Sequence, residues 1–220
     1  MTSIKTGEGN DIDLREKNRE MKIKNKDLIA ELVALTDQSI AQVKEFLQLD
    51  IDTLNHKSSP ATWSMLESIE HLNLYGNFYL PEIERQLLKA APKVDCTFKS
   101  GFLGDYFVNI IRVKQGRIKK IKTGKSMDPA NPHLTYITLN RFIRQQEKLR
   151  TLLIDSLQKD ITNTKTAISL THLFRIRMGD TLRFVVYHTE RHVLQAKHAL
   201  EAAMDGDCVA QPVELAPAMS

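Results

Sequence analysis

Cysteine is nearly missing from this chain: Cys96 and Cys208 are the only two. Neither lies near the other in sequence, one falling in a connection and one in a C-terminal segment. That excludes a Cys-rich metal cluster, argues against a disulfide framework, and leads to the expectation of a reducing, cytoplasmic location. Long apolar runs are also missing. No stretch approaches the ~20 apolar residues of a membrane span, and no membrane partner is expected. The first 26 residues alternate in charge without the apolar centre of a signal peptide. The net charge of +4 is too small to indicate nucleic acid by itself. One basic run stands out, Lys114 to Lys125, with six Lys/Arg in twelve residues. Gly116 and Gly124 interrupt it and no aromatic side chain is interleaved for base stacking, so it reads as a solvated loop and not as a nucleic-acid surface.

What remains is the composition of an ordinary globular chain, 42% hydrophobic and 26% charged over 220 residues, enough for one domain with a sizeable core. Residues 1–26 read as a flexible charged arm, 27–204 as the domain, and 205–220 as a disordered tail. Apolar residues recur at helical spacing in four places. The first helix runs from Asp27 to about Leu49. The second opens at Trp63-Ser64, where Ser64 and Glu67 have the spacing of a capping box, and Pro81 should kink or interrupt it. The third covers Tyr136 to about Gln158. The fourth starts at Gly179-Asp180, with Asp180 as N-cap, and ends at Asp205-Gly206. Its Arg183, Glu190, Lys197 and Glu201 form a solvated outer face. Between the second and third helices lie more than 40 residues, long enough to cross from one end of a bundle to the other. No strand pair and no internal repeat is evident. The fold class expected is all-α: a four-helix bundle.

Seven histidines are present, and two of them define the chemistry. His188 and His192, four apart, lie about 40° apart around a helix and can close on one metal ion. Both fall within the apolar and small-residue stripe of the fourth helix. The pair alone is equally consistent with two hydrogen-bonded core histidines. It is not the zincin pattern, because Thr189 follows His188, and Glu190 lies about 200° round the helix from His188. A third ligand has to come from elsewhere. His56, His133 and His172 fall in connections and His198 lies on the flank, whereas His71 sits mid-helix on an inward stripe with Leu74, Tyr75 and Phe78. Position therefore favours His71.

Trp63-Ser64-x-x-Glu67-x-x-x-His71 and His188-x-x-Arg191-His192-x-x-Gln195, the latter after Met178-Gly179-Asp180-Thr181-Leu182, resemble the second- and fourth-helix motifs of the DinB/YfiT-like superfamily. The likeness extends over roughly 27–204 and includes the long connection. The resemblance implies an up-down-down-up order with the long crossover between helices 2 and 3. It also implies His71, His188 and His192 as the ligands of a divalent transition metal, zinc or nickel. Three imidazoles leave a coordination position open, the arrangement of a catalytic site, where a metal lowers the pKa of a bound water or thiol. Relatives in this superfamily include thiol S-transferases that use a low-molecular-weight thiol cosubstrate, and hydrolases, each acting on a small-molecule substrate; homodimers are also common among them. The charged arm and the tail are not required by the family pattern.

Four residues are candidates for supporting roles. Glu67 can orient His71 or take a proton, although its capping role explains it as well. Tyr75 can donate to a substrate or simply be a core tyrosine. Arg191 can hold an anionic substrate or a neighbouring carboxylate, and Gln195 lies almost above His188. The alternative to an enzyme is a non-catalytic helical protein that binds a ligand or partner and uses the metal structurally or not at all.

Overall fold

The computed structural model describes residues 21–60, 62–113, 124–129, 134–169 and 171–207. Most of the proposed arm (1–20), most of the basic run (114–123), His133 and the tail from 208 onward lie outside the described residues. In chain order the elements are β1 (Lys22–Lys24), α1 (Asn25–Phe46), α2 (Ile51–Asn55), α3 (Met65–Leu87), β2 (Thr97–Lys99), α4 (Phe102–Ile111), α5 (Tyr136–Asp155), β3 (Lys165–Ile168), β4 (Thr171–Arg177) and α6 (Met178–Asp207). The protein is mostly helical. The four long helices α1, α3, α5 and α6 supply most of the core, with α3 and α1 each packed on both α5 and α6.

Two short antiparallel pairs correct the expectation that no strand pair is present. β1 pairs with β2, Ile23 opposite the fully buried Phe98, and β3 pairs with β4 across a bulge at Ala167/Ile168. β1, β2 and β3, at three or four residues, are too short to show a period of two, and β1 finds its partner more than seventy residues away. The segment expected to be an arm through residue 26 is therefore structured at its end: Lys22–Lys24 are in the ladder and α1 already begins at Asn25.

α3 starts on the capping box read from the sequence. Ser64 Oγ accepts from Glu67 N at 3.1 Å, and Glu67 Oε2 accepts from Ser64 N at 2.8 Å. The helix then continues unbroken through Pro81 to Leu87. Proline removes one backbone hydrogen bond, but Tyr79, Leu80, Ile83 and Leu87 around it are buried, and their packing holds the turn helical.

α6 differs from expectation on its outer side. It begins at Met178, so Asp180 sits inside its first turn and caps nothing of its own helix. Instead its carboxylate accepts from Ser100 Oγ and from Gly101 N at 2.8 Å, and it pairs with Arg183 Nη1 at 3.1 Å. Arg183, expected in solvent, is 2% exposed. The reason is α4, which packs on α6 and covers that side. With neighbours on both faces, the first half of α6 is buried almost all round. Gly179 makes room for β2 instead, since a Cβ there would overlap the Phe98 ring.

The core falls into two clusters stacked along the long helices. One gathers Leu28, Ile83, Leu149, Leu153 and Val186; the other Phe46, Ile69, Leu72, Phe142 and Val193. On α3 the change from one cluster to the other falls between Leu72 and Tyr79, and on α6 between Tyr187 and Val193. His188 and His192 lie at this seam, and His71 lies next to it, beside Leu72.

Candidate metal centre

His71 comes from α3 and His188 and His192 from α6, and their side chains meet between the two helices. Their ring nitrogens, one from each residue, lie within 4.8 Å of one another, and all three residues are at most 7% exposed. Two nitrogens held about 2.0–2.1 Å from one tetrahedral ion stand about 3.4 Å apart. The Nε2 atoms of His71 and His188 are 3.4 Å apart.

The protonation pattern also suits a cation. His71 Nδ1 lies 2.6 Å from the Met127 carbonyl oxygen. A carbonyl can only accept, so Nδ1 carries the proton and Nε2 presents a lone pair toward His188. Anchoring the far nitrogen on a carbonyl is how ligating histidines are commonly oriented. His192 Nδ1 is buried without a hydrogen-bond partner among the described atoms, a condition that costs about 1–3 kcal/mol unless a ligand relieves it.

All three imidazoles are kept neutral. Burial lowers the pKa of His71, against the pull of the Met127 carbonyl and the Asp128 charge. Burial pushes His188 well below its ordinary value, reinforced by the neighbouring His192, His71 and Arg191. His192 is depressed in the same way by burial, then by His71 and Arg191, with Gln195 acting in the other direction. A metal ligates the neutral imidazole, so the cluster is already in the state that ligation needs.

Aromatic rings enclose the cluster. Trp63 lies 4.8 Å from His71 and 5.9 Å from His192, Tyr75 lies 4.4 Å from His188, and Phe184 stacks on His188 at 5.4 Å, all between ring centroids. The Tyr75 hydroxyl is pushed up to about 12, chiefly by burial. A cavity of about 10 Å³, lined by residues that include Tyr75, Gln146, Val185 and His188, adjoins the site from within the core. That is room for about one water molecule.

The structure brings some of the expected supporting residues to the site and not others. Tyr75 touches both His71 and His188, and Gln195 acts on His192. Glu67 is engaged elsewhere, with Oε2 on Ser64 N and Oε1 on Lys57 Nζ at 3.0 Å. Arg191 is 4% exposed and donates to the Ile111 carbonyl at the end of α4 at 3.4 Å; from there its charge reaches His188 and His192. Reading the sequence missed the Met127 carbonyl and the contact of Trp63 with the rings. A backbone acceptor in an irregular connection leaves no side-chain signal, but Trp63 stood eight residues before His71 in the motif.

Compared with known proteins, the chain matches the family model described as the DinB superfamily over residues 35–196. No curated protein and no solved structure gives a significant match.

Proposed function

The chain belongs to the DinB superfamily, and on that footing we propose that it is a metal-dependent enzyme with His71, His188 and His192 as ligands to one divalent ion, zinc or nickel. Its domain, 27–204, is an up-down-down-up four-helix bundle with the long crossover between α3 and α5. It works in the cytoplasm on a small-molecule substrate. The observation that carries this reading is the convergence of three buried, neutral imidazoles within 4.8 Å. Three ligands leave a position for a reactant, and an ion bound there supplies Lewis acidity that lowers the pKa of a coordinated thiol or water.

Between the two reactants, a low-molecular-weight thiol fits these residues better than water. Hydrolysis calls for a protein base to take up a proton. Glu67, the carboxylate within the family motif, is committed to its cap and to Lys57, and the Tyr75 phenol is too weak an acid to be ionised near neutrality. A thiol is the stronger acid and would give up its proton to solvent on coordination, so transfer asks the protein only to bind the thiolate and align an electrophile with it. Tyr75, Phe184 and Trp63 provide apolar ring surface for that, with the Tyr75 hydroxyl available as a donor. The reading is therefore a thiol S-transferase, with a hydrolase as the second choice.

The test begins with elemental analysis of protein purified without chelator or a histidine tag. About one transition metal per chain is expected, and none even after zinc or nickel is added sinks the reading. A panel of low-molecular-weight thiols with an alkylating electrophile, run beside ester and amide substrates, then separates transfer from hydrolysis. Metal present with no turnover of either kind favours a non-catalytic helical binding protein.

A further inference from the structure

The inner face of α5 carries one residue out of keeping with its neighbours. Leu139, Phe142, Leu149 and Leu153 on that face are buried and apolar, and among them stands Gln146, 4% exposed. Its Oε1 has no hydrogen-bond partner among the described residues. α5 supplies none of the proposed ligands, yet Gln146 lines the same cavity as His188 of α6, the space of about 10 Å³ that adjoins the histidine cluster. Leu80, Leu149 and Val185 make much of the remaining wall. A buried amide without a bond is costly, and a cavity of this size beside it takes one water.

The three histidines show where such a water is needed. A neutral imidazole that ligates through one nitrogen carries its proton on the other, and that N–H requires an acceptor. His71 has one in the Met127 carbonyl, 2.6 Å from Nδ1. His192 has a hydrogen bond with the Gln195 side chain. His188 turns Nε2 toward His71 Nε2, 3.4 Å away, and its Nδ1, across the ring, has no hydrogen-bond partner among the described residues. A single water confined in the cavity lies against both His188 and Gln146. Thr189 and Tyr75 also line the space and can bond the same water, which completes the two to four polar partners of a typical buried water.

We infer that Gln146 is a positioning residue of the metal site: through one water in the cavity, its amide holds the Nδ1–H of His188 and so fixes that ring for ligation. The water accepts from Nδ1–H and donates to the amide oxygen. The bond keeps the proton on Nδ1 and leaves the Nε2 lone pair free, as the Met127 carbonyl does for His71. An apolar side chain at 146 deprives the water of its acceptor and leaves the His188 ring less firmly set. The inference rests on the ligand set proposed above and adds to it a residue from α5 that is not itself a ligand.

The experiment compares the full chain with Q146M, which nearly keeps the volume and removes the amide. Zinc affinity, read by competition with a chromogenic chelator, should fall about tenfold in Q146M, the scale of a lost outer partner of a ligating histidine. The thermal midpoint of the metal-free variant should match the parent or exceed it. A midpoint that drops while zinc affinity holds makes Gln146 a packing residue and overturns the inference, as does a variant equal to the parent in both. A second measurement is independent of how the variant folds. A high-resolution crystal structure of the metal-free parent should show a water in the cavity within hydrogen-bond distance of the Gln146 amide and His188 Nδ1. A dry cavity, or an Nδ1 bonded elsewhere, overturns the inference. A parent that takes up no zinc counts against the ligand set proposed above, and the cavity water then decides the role of Gln146 alone.

Discussion

His71 is hydrogen-bonded through Nδ1 to the backbone carbonyl of Met127, 56 residues further along the chain, at 2.6 Å. One side chain thus joins the end of the crossover to the histidine cluster, and its two nitrogens face different partners: Nδ1 the Met127 carbonyl, and Nε2, the proposed ligand atom, His188.

The two contacts can be separated by mutation. In H71N the side-chain amide takes the place of Nδ1 and keeps a donor for Met127, while the nitrogen facing His188 is lost. H71A loses both. H71N should remain within about 1 kcal/mol of the parent in urea unfolding, and H71A should lose about 2–3 kcal/mol. Both should fail to bind zinc or nickel in a titration. Metal binding retained by H71N would remove His71 from the ligand set.

Metal should stabilise the fold through the same three residues. At a free concentration one hundred times the dissociation constant, a ligand specific to the folded state adds about 2.7 kcal/mol. Differential scanning fluorimetry with zinc or nickel should show the corresponding rise in midpoint for the parent and none for H188A or H192A. A shift that survives both variants would place the metal elsewhere.

The metal-free protein should weaken on mild acidification. His188 and His192 are held well below their ordinary 6.5 by burial and neighbouring positive charge, whereas the unfolded chain protonates both near 6.5. Below that pH the unfolded state binds more protons, so stability falls as pH falls. The slope is about 1.4 kcal/mol per pH unit for each histidine until the folded-state pKa is reached. Urea unfolding of chelated protein at pH 7.5 and 5.5 measures this, and equal stability at both would contradict the assigned environment.

The outward carboxylate network on α6 gives a prediction independent of metal. Asp180 is fully buried and shares Arg183 with Asp105. Removing one partner of a buried pair leaves the other charge uncompensated, typically at about 3–5 kcal/mol. Because Asp105 remains within 3.0 Å of Arg183, D180A should fall at the lower end of that range. G104A should also destabilise, because a Cβ at 104 overlaps the Asp180 carboxyl. Chemical denaturation checks both; a neutral D180A would mean that Arg183 reaches water.

Trp63 is the single tryptophan and lies 4.8 Å from the His71 ring. Its emission should be quenched when open-shell nickel or copper binds and much less by zinc, and H188A should abolish the nickel response. Equal quenching in parent and variant would indicate collisional quenching only.

The parts of this molecule legible in the sequence are those written in side-chain periodicity. The four long helices, the Ser64/Glu67 box and the inward placement of His71, His188 and His192 all follow from spacing and cap chemistry. What stayed hidden depends on contacts between distant segments. β1 is three residues long and acquires its meaning only from Thr97–Lys99. Arg183 looks solvent-facing until α4 is laid over it, and no wheel drawn on one helix shows a second helix. Asp180 resembles an N-cap because the residue type fits, but its partners, Ser100 and Gly101, lie on the crossover. The Met127 carbonyl has no residue signature at all.

The distance along the chain between His71 and His188, 117 residues, bears on when the site comes into being. At about 5–20 residues per second of synthesis, roughly 6–23 s separate the appearance of the first histidine from that of the second. During that interval α3 has been made with a polar imidazole on its inner face and no cluster to join. On the proposed ligand set, metal is taken up only after α6 has left the ribosome and packed. A ribosome-bound fragment ending before α6 should neither retain the ion nor compete with mature protein for it.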